Sequence, residues 1–90
     1  MEFEFDPKKS ESNKEKHGID FIEAQKLWSG ETVTLRSKNQ DEPRQIVIGK
    51  INCRFWTGIA TFRVRNGQEK IRIISVRRSR DEEKKIYNEK

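Results

Sequence analysis

This chain has little of what most enzyme sites are built from. It holds one cysteine, one histidine, one tyrosine and two prolines in ninety residues. A single cysteine excludes an internal disulfide. Cys53 stands between Asn52 and Arg54 near an expected turn, which suggests a buried or half-buried small apolar role. With one histidine, one cysteine and no spaced carboxylate set, no metal-ligand pattern is present and no cofactor is expected. There is no P-loop, no dinucleotide fingerprint and no recognisable Ser-His-Asp arrangement. No apolar run reaches the roughly 20 residues that a bilayer crossing needs. No secretory leader pattern stands out, so a cytoplasmic location without membrane contact is expected. Hydrophobic residues are also sparse, at 31% with a mean hydropathy of −1.06. They nevertheless cluster in periodic runs rich in Ile, Val, Phe and Trp. One small core is the expectation, hence a single domain over residues 1–90.

Charge is abundant, and it is uneven. Residues 1–45 carry eight bases against ten acids, a balance of −2; residues 46–90 carry twelve against five, a balance of +7. The basic half is a candidate polyanion surface. Its densest part, Arg63 to Arg80, holds Arg63, Arg65, Lys70, Arg72, Arg77, Arg78 and Arg80 against the single acid Glu69. Arginines alternate there with β-branched residues, as in a strand that buries aliphatic groups and holds guanidiniums in fixed positions. A guanidinium grips phosphate in a bidentate fork.

Periodicity sets the expected elements. Met1, Phe3 and Phe5 alternate with acids, which predicts a half-buried first strand. Asp6-Pro7 opens a polar helix to about His17, and Gly18 ends it. Asp20 with Glu23 forms a capping box for a second helix, stopped at Ser29-Gly30. Strands are predicted at Glu31–Arg36, Arg44–Lys50, Arg54–Val64 and Glu69–Arg77, with a loop over Ser37–Pro43. Asn66-Gly67 is a two-residue hairpin signal. Ser79 is read as the cap of a last helix, again in a capping box. The order is β-α-α-β-β-β-β-α, an α+β domain. An antiparallel sheet is expected, with the two N-terminal helices on one face and polar side chains on the other. Phe3, Phe5, Phe21, Leu27, Trp28, Val47, Trp56, Phe62 and Ile74 are the expected core.

Three constellations carry chemistry. Lys9, Asn13, Lys16 and His17 recur at helical spacing. His17 is the residue best suited to proton transfer near neutral pH, although Lys16 and His17 are also simply favoured at a helix C-terminus. Arg63 and Arg65 lie opposite Lys70 and Arg72 across the hairpin. Alternation puts Arg63 on the strand face of Phe55, Ile59 and Thr61, and turns Trp56, Ala60, Phe62 and Val64 toward the core. Arg77-Arg78 precede a helix start, a favourable place for an anion, with Arg80 beside them. Tyr87 either stacks on RNA or anchors the last helix. RNA cleavage needs no metal in principle. The 2′-hydroxyl attacks its adjacent phosphorus once it loses its proton, while arginines and lysines stabilise the pentavalent charge.

Phe5-Asp6, Lys9, Asn13, Lys16-His17-Gly18-Ile19-Asp20-Phe21 and Glu23-Ala24 resemble the N-terminal signature of the BrnT family of bacterial toxins. Arg44 with Ile48-Gly49 is similar to its middle motif. Ile71 to Arg78, with Glu83 and Tyr87, is similar to its C-terminal one. The chain departs from the pattern at Phe5, where the family has Trp, and at Val76 and Ser79, where it has Ala. The resemblance implies a RelE-like fold and a metal-independent endoribonuclease that inhibits translation. It also implies a cognate ribbon-helix-helix antitoxin, BrnA-like, through which a hetero-oligomer binds operator DNA. On that basis Lys16, His17, Arg63, Arg77 and Arg78 are the expected catalytic residues. Arg65, Lys70, Arg72, Arg80 and Tyr87 are the expected RNA-binding ones. The alternative is a non-enzymatic basic module that acts as corepressor with a DNA-binding antitoxin.

Overall fold

Local sequence accounts for most of the elements, and the packing follows from where their apolar residues fall. The computed structural model describes residues 2–36 and 44–89. In chain order these form β1 (Glu2–Glu4), α1 (Pro7–His17), α2 (Phe21–Ala24), α3 (Lys26–Ser29) and β2 (Thr32–Arg36). β3 (Arg44–Ile51), β4 (Arg54–Arg65), β5 (Gln68–Arg78) and α4 (Asp81–Asn88) complete them. The expected loop over 37–43, and Met1, lie outside the described residues. No helix among the described residues is long and apolar enough to cross a membrane.

The sheet order is β1-β5-β4-β3-β2. β2 through β5 form an antiparallel meander. Asn66 and Gly67 have φ of 51° and 77°, the left-handed pair that a tight hairpin requires. Asn52 and Cys53 make a second such turn, with φ of 51° and 67°. That turn leaves Cys53 exposed rather than buried. The expectation of a wholly antiparallel sheet is corrected at one edge. β1 pairs with β5 in parallel, Glu2 opposite Lys70 and Glu4 opposite Arg72. Its partner is distant in sequence, so the rule for neighbouring strands does not govern it.

The second helix is also corrected, into two short turns. Gln25 N–H donates to Ile22 O at 3.3 Å, and Trp28 N–H to Gln25 O at 3.1 Å. These three-residue bonds tighten the chain to about three residues per turn. That winding keeps Phe21, Ala24 and Leu27, spaced by threes and all at most 1% exposed, on one line against the sheet.

One sheet face, the helix face, packs under α1–α3. Phe21, Leu27, Val47, Trp56, Ala60, Ile71, Ile73 and Val76 are buried there, with Phe3, Phe5 and Trp28 packed against them. Phe62 and Ile74 do not join this core. Phe62 lies on the helix face but is 42% exposed. The helices meet β4 at Gly58, where Trp28 and Leu27 sit, and the strand runs on beyond them. Ile74 is the extra residue of a β-bulge: Ser75 pairs with Ile59, and Ile73 with the next residue, Ala60.

The opposite face is not wholly open either. α4 folds back over its Phe55–Thr57 end, with the Tyr87 ring edge-on to Phe55 at 5.4 Å. Ser79 is not the helix cap. Its hydroxyl shares a 2.7 Å hydrogen bond with Thr57, and Arg80 takes the cap position.

Candidate functional site

The bulge at Ile74 builds the site. Arg72 and Arg77 are five residues apart, so strict alternation would turn them to opposite faces. The extra residue resets the phase. Ile71 and Ile73, then Val76, stay buried on the helix face. Lys70 and Arg72, then Ser75 and Arg77, all point the other way, opposite Arg63, Thr61, Ile59 and Thr57 of β4 respectively. Four basic residues from two adjacent central strands therefore share one face.

Two carboxylates meet them. Glu4, on edge strand β1, lies 4.0 Å from Arg63 Nε and 3.9 Å from Arg72 Nη1. Glu2 lies 3.8 Å from Lys70 Nζ. Arg63 and Arg72 keep about a third of their side-chain surface exposed, 35% each. Thr61, opposite Arg72, is buried with a hydroxyl that lacks a hydrogen-bond partner.

Arg77 is held more tightly. Its Nη1 and Nη2 donate to the two Glu83 oxygens at 2.7 and 2.8 Å, a bidentate pair. That hydrogen bonding holds the Glu83 carboxyl below its ordinary range against an opposing effect of burial, and raises Arg77 further. Glu83 Oε1 also accepts the Arg80 N–H at 2.7 Å, which closes the first turn of α4. Arg77 thus ties α4 to the sheet. Arg78 faces the other way and lies 5.4 Å from the Trp56 ring centroid, over its π face. The two neighbours do not form one clamp, as the extended chain turns them apart. Arg80 is exposed at the helix cap, and Tyr87 anchors α4 on Phe55.

Lys16 and His17 are exposed at the end of α1, where Gly18 has φ of 82° and donates its N–H to Lys14 O. They line a groove of about 170 Å³ with Lys9, Ser12, Asn13, Ile74 and Ser75. The groove runs along the β5 edge at the bulge, past the end of β1. Asn13 is buried and structural. Its amide donates to Ile19 O and Val76 O, each at 2.8 Å, and its oxygen accepts Val76 N–H at 3.2 Å. It thus fastens α1 to the strand edge and sets Lys16 and His17 beside Ser75. The Arg65 side chain lies outside the described residues. Among the described residues, no three of His, Cys, Asp and Glu are grouped to hold a metal ion.

Sequence reasoning named the bases and missed the acids. The alternation of Glu2 and Glu4 with Phe3 and Phe5 was a signal for an acidic strand face. Its meeting with Arg63 and Arg72 depends on the parallel pairing.

Comparison with known proteins matches residues 5–83 to the family model described as "Ribonuclease toxin, BrnT, of type II toxin-antitoxin system". No curated protein matches the chain.

Proposed function

The chain belongs to the BrnT family of type II toxin–antitoxin ribonuclease toxins, and from that premise we propose that it cuts RNA on the open half of the sheet face carrying Arg63, Lys70 and Arg72. The observation that carries this reading is the shared direction of those three side chains, which the β4–β5 register puts on one sheet face and which stay partly exposed. Arg63 and Arg72 receive the scissile phosphate and stabilise the charge that builds on it. Lys70 holds a neighbouring phosphate. Lys16 and His17 carry the proton transfers, because guanidinium does not release its proton near pH 7 and imidazole does. The 2′-hydroxyl loses its proton and bonds to phosphorus. The bond to the 5′-oxygen breaks, and that oxygen takes a proton. The products are a 2′,3′-cyclic phosphate and a 5′-hydroxyl.

Arg77 supports the site from its edge while it fixes α4. Arg78, which faces the helix side over Trp56, Arg80, at the cap of α4, and Tyr87, which anchors α4 on Phe55, stay clear of the reacting phosphate. Chelation leaves the reaction intact, since these steps use only side-chain groups. Cleavage of RNA depresses translation, and a ribbon-helix-helix antitoxin restrains the toxin and carries the complex to operator DNA.

The test is cleavage of a labelled RNA by the purified chain in EDTA. Activity that survives EDTA supports the reading. Activity abolished by EDTA and restored by Mg²⁺ or Zn²⁺ counts against it.

A further inference from the structure

Glu4 is the one carboxylate among the described residues that lies within 4.0 Å of both Arg63 and Arg72. Its Oε1 is buried and has no hydrogen-bond partner. Instead it lies between two guanidiniums, at 4.0 Å from Arg63 Nε and 3.9 Å from Arg72 Nη1. Both separations exceed hydrogen-bond length, so the contact is one of charge rather than of shared protons. Arg63 and Arg72 come from adjacent strands, two residues out of direct register and so diagonal neighbours on one face, with Thr61 opposite Arg72 and Lys70 opposite Arg63. Three like charges side by side repel one another and drive flexible side chains apart. A carboxylate on the neighbouring edge strand offsets that repulsion and brings two of them to one point.

We infer that Glu4 is a positioning residue, holding Arg63 and Arg72 together as a two-guanidinium cradle for the scissile phosphodiester of RNA. The inference rests on the ribonuclease reading above. Two other roles are distinguishable from it. A carboxylate that only pins β1 to β5 affects stability and not the rate of the folded protein. A carboxylate that only competes with phosphate weakens RNA binding, and its removal tightens binding without slowing the cut. A positioning carboxylate leaves ground-state binding nearly unchanged and lowers kcat, because misplaced groups cost most in the transition state.

The experiment compares the full chain with Glu4→Gln and Glu4→Asp. Thermal melting, kcat and KM on a cleavable RNA, and Kd for its 2′-O-methyl analogue are measured for each. Glu4→Gln should lower kcat at least about tenfold, with KM and Kd within about threefold. Glu4→Asp keeps the charge but withdraws it by one methylene. It should melt like the parent and cut at an intermediate rate. Undiminished kcat in a folded Glu4→Gln, or tighter Kd without a loss of rate, overturns the inference. If Glu4→Gln does not fold, Glu4→Asp decides, and the parental kcat in that variant overturns it. A parent chain that neither binds the analogue nor cuts RNA defeats the ribonuclease reading itself, and the inference with it. Cutting by the parent with an unaffected Glu4→Gln defeats the inference alone.

Discussion

At the scale of single residues, Arg77 is a structural residue before it is a candidate for phosphate. Its bidentate pair with Glu83 ties α4 to the sheet, so Arg77→Ala removes a structural tie along with any role at phosphate. Glu83→Gln isolates the tie. It should destabilise the fold by about 1–3 kcal/mol, the range for hydrogen bonds to charged groups, measured by denaturant unfolding. The effect carries a pH signature. Glu83 is held below the ordinary carboxylate range, chiefly by its Arg77 hydrogen bond. Its contribution is therefore present above the unfolded value of about 4.3 and is lost as pH falls through the lower folded one. The gap in stability between the parent and Glu83→Gln should be full at neutral pH and shrink below about pH 4. A gap that grows on acidification contradicts the assignment. Asn13 is the second residue whose role the fold reveals. Its side chain serves three backbone groups at Ile19 and Val76. Asn13→Ala strands those groups in a buried place and should cost about 2–4 kcal/mol, read by the same unfolding.

At the scale of elements, the close fit of α3 on the sheet is a distinct test. A methyl group at Gly58 would come within 2.9 Å of the Trp28 ring and 3.2 Å of Leu27 Cδ2. Gly58→Ala should therefore destabilise by about 1–3 kcal/mol, as overpacking does, with a lowered melting temperature as readout. Element identity was largely legible in the chain. The Asn66-Gly67 hairpin, the Asp6-Pro7 helix start and the Asp20 cap are local signals, and Asp20 Oδ1 does accept the Glu23 N–H at 2.8 Å. What alternation could not reveal is the bulge. Nothing in Arg72–Ile73–Ile74–Ser75–Val76 marks which isoleucine loses its cross-strand partner. The face of every residue on one side of that point depends on it. This is why Ile74 was expected in the core, where Ile73 and Val76 lie. The same gap hid why Arg72 and Arg77 share a face, and the parallel pairing of β1 hid Glu4 from the site. Phe62 was misplaced for a different reason: its face follows alternation, but the extent of helix cover is a tertiary property.

At the scale of the whole molecule, the +7 balance of residues 46–90 is a statement about binding. Three bases at the open face, Arg63, Lys70 and Arg72, give a predicted slope of about −2 for log affinity against log salt on single-stranded RNA. Arg72→Ala should reduce that slope by about 0.7, measured by anisotropy on a 2′-O-methyl oligonucleotide. A slope near zero would remove phosphate contact from the account. The central claim is chemical: RNA is cut by its own 2′-hydroxyl, at a phosphate held by Arg63 and Arg72. The most direct measurement is the end chemistry of RNA cut by the purified chain in EDTA, beside Arg63→Ala and Arg72→Ala proteins of unchanged melting temperature. The account predicts 2′,3′-cyclic phosphate and 5′-hydroxyl ends from the parent, and about 10²–10³-fold slower cutting by each variant. Ends bearing 5′-phosphate, or full activity in both folded variants, would contradict it.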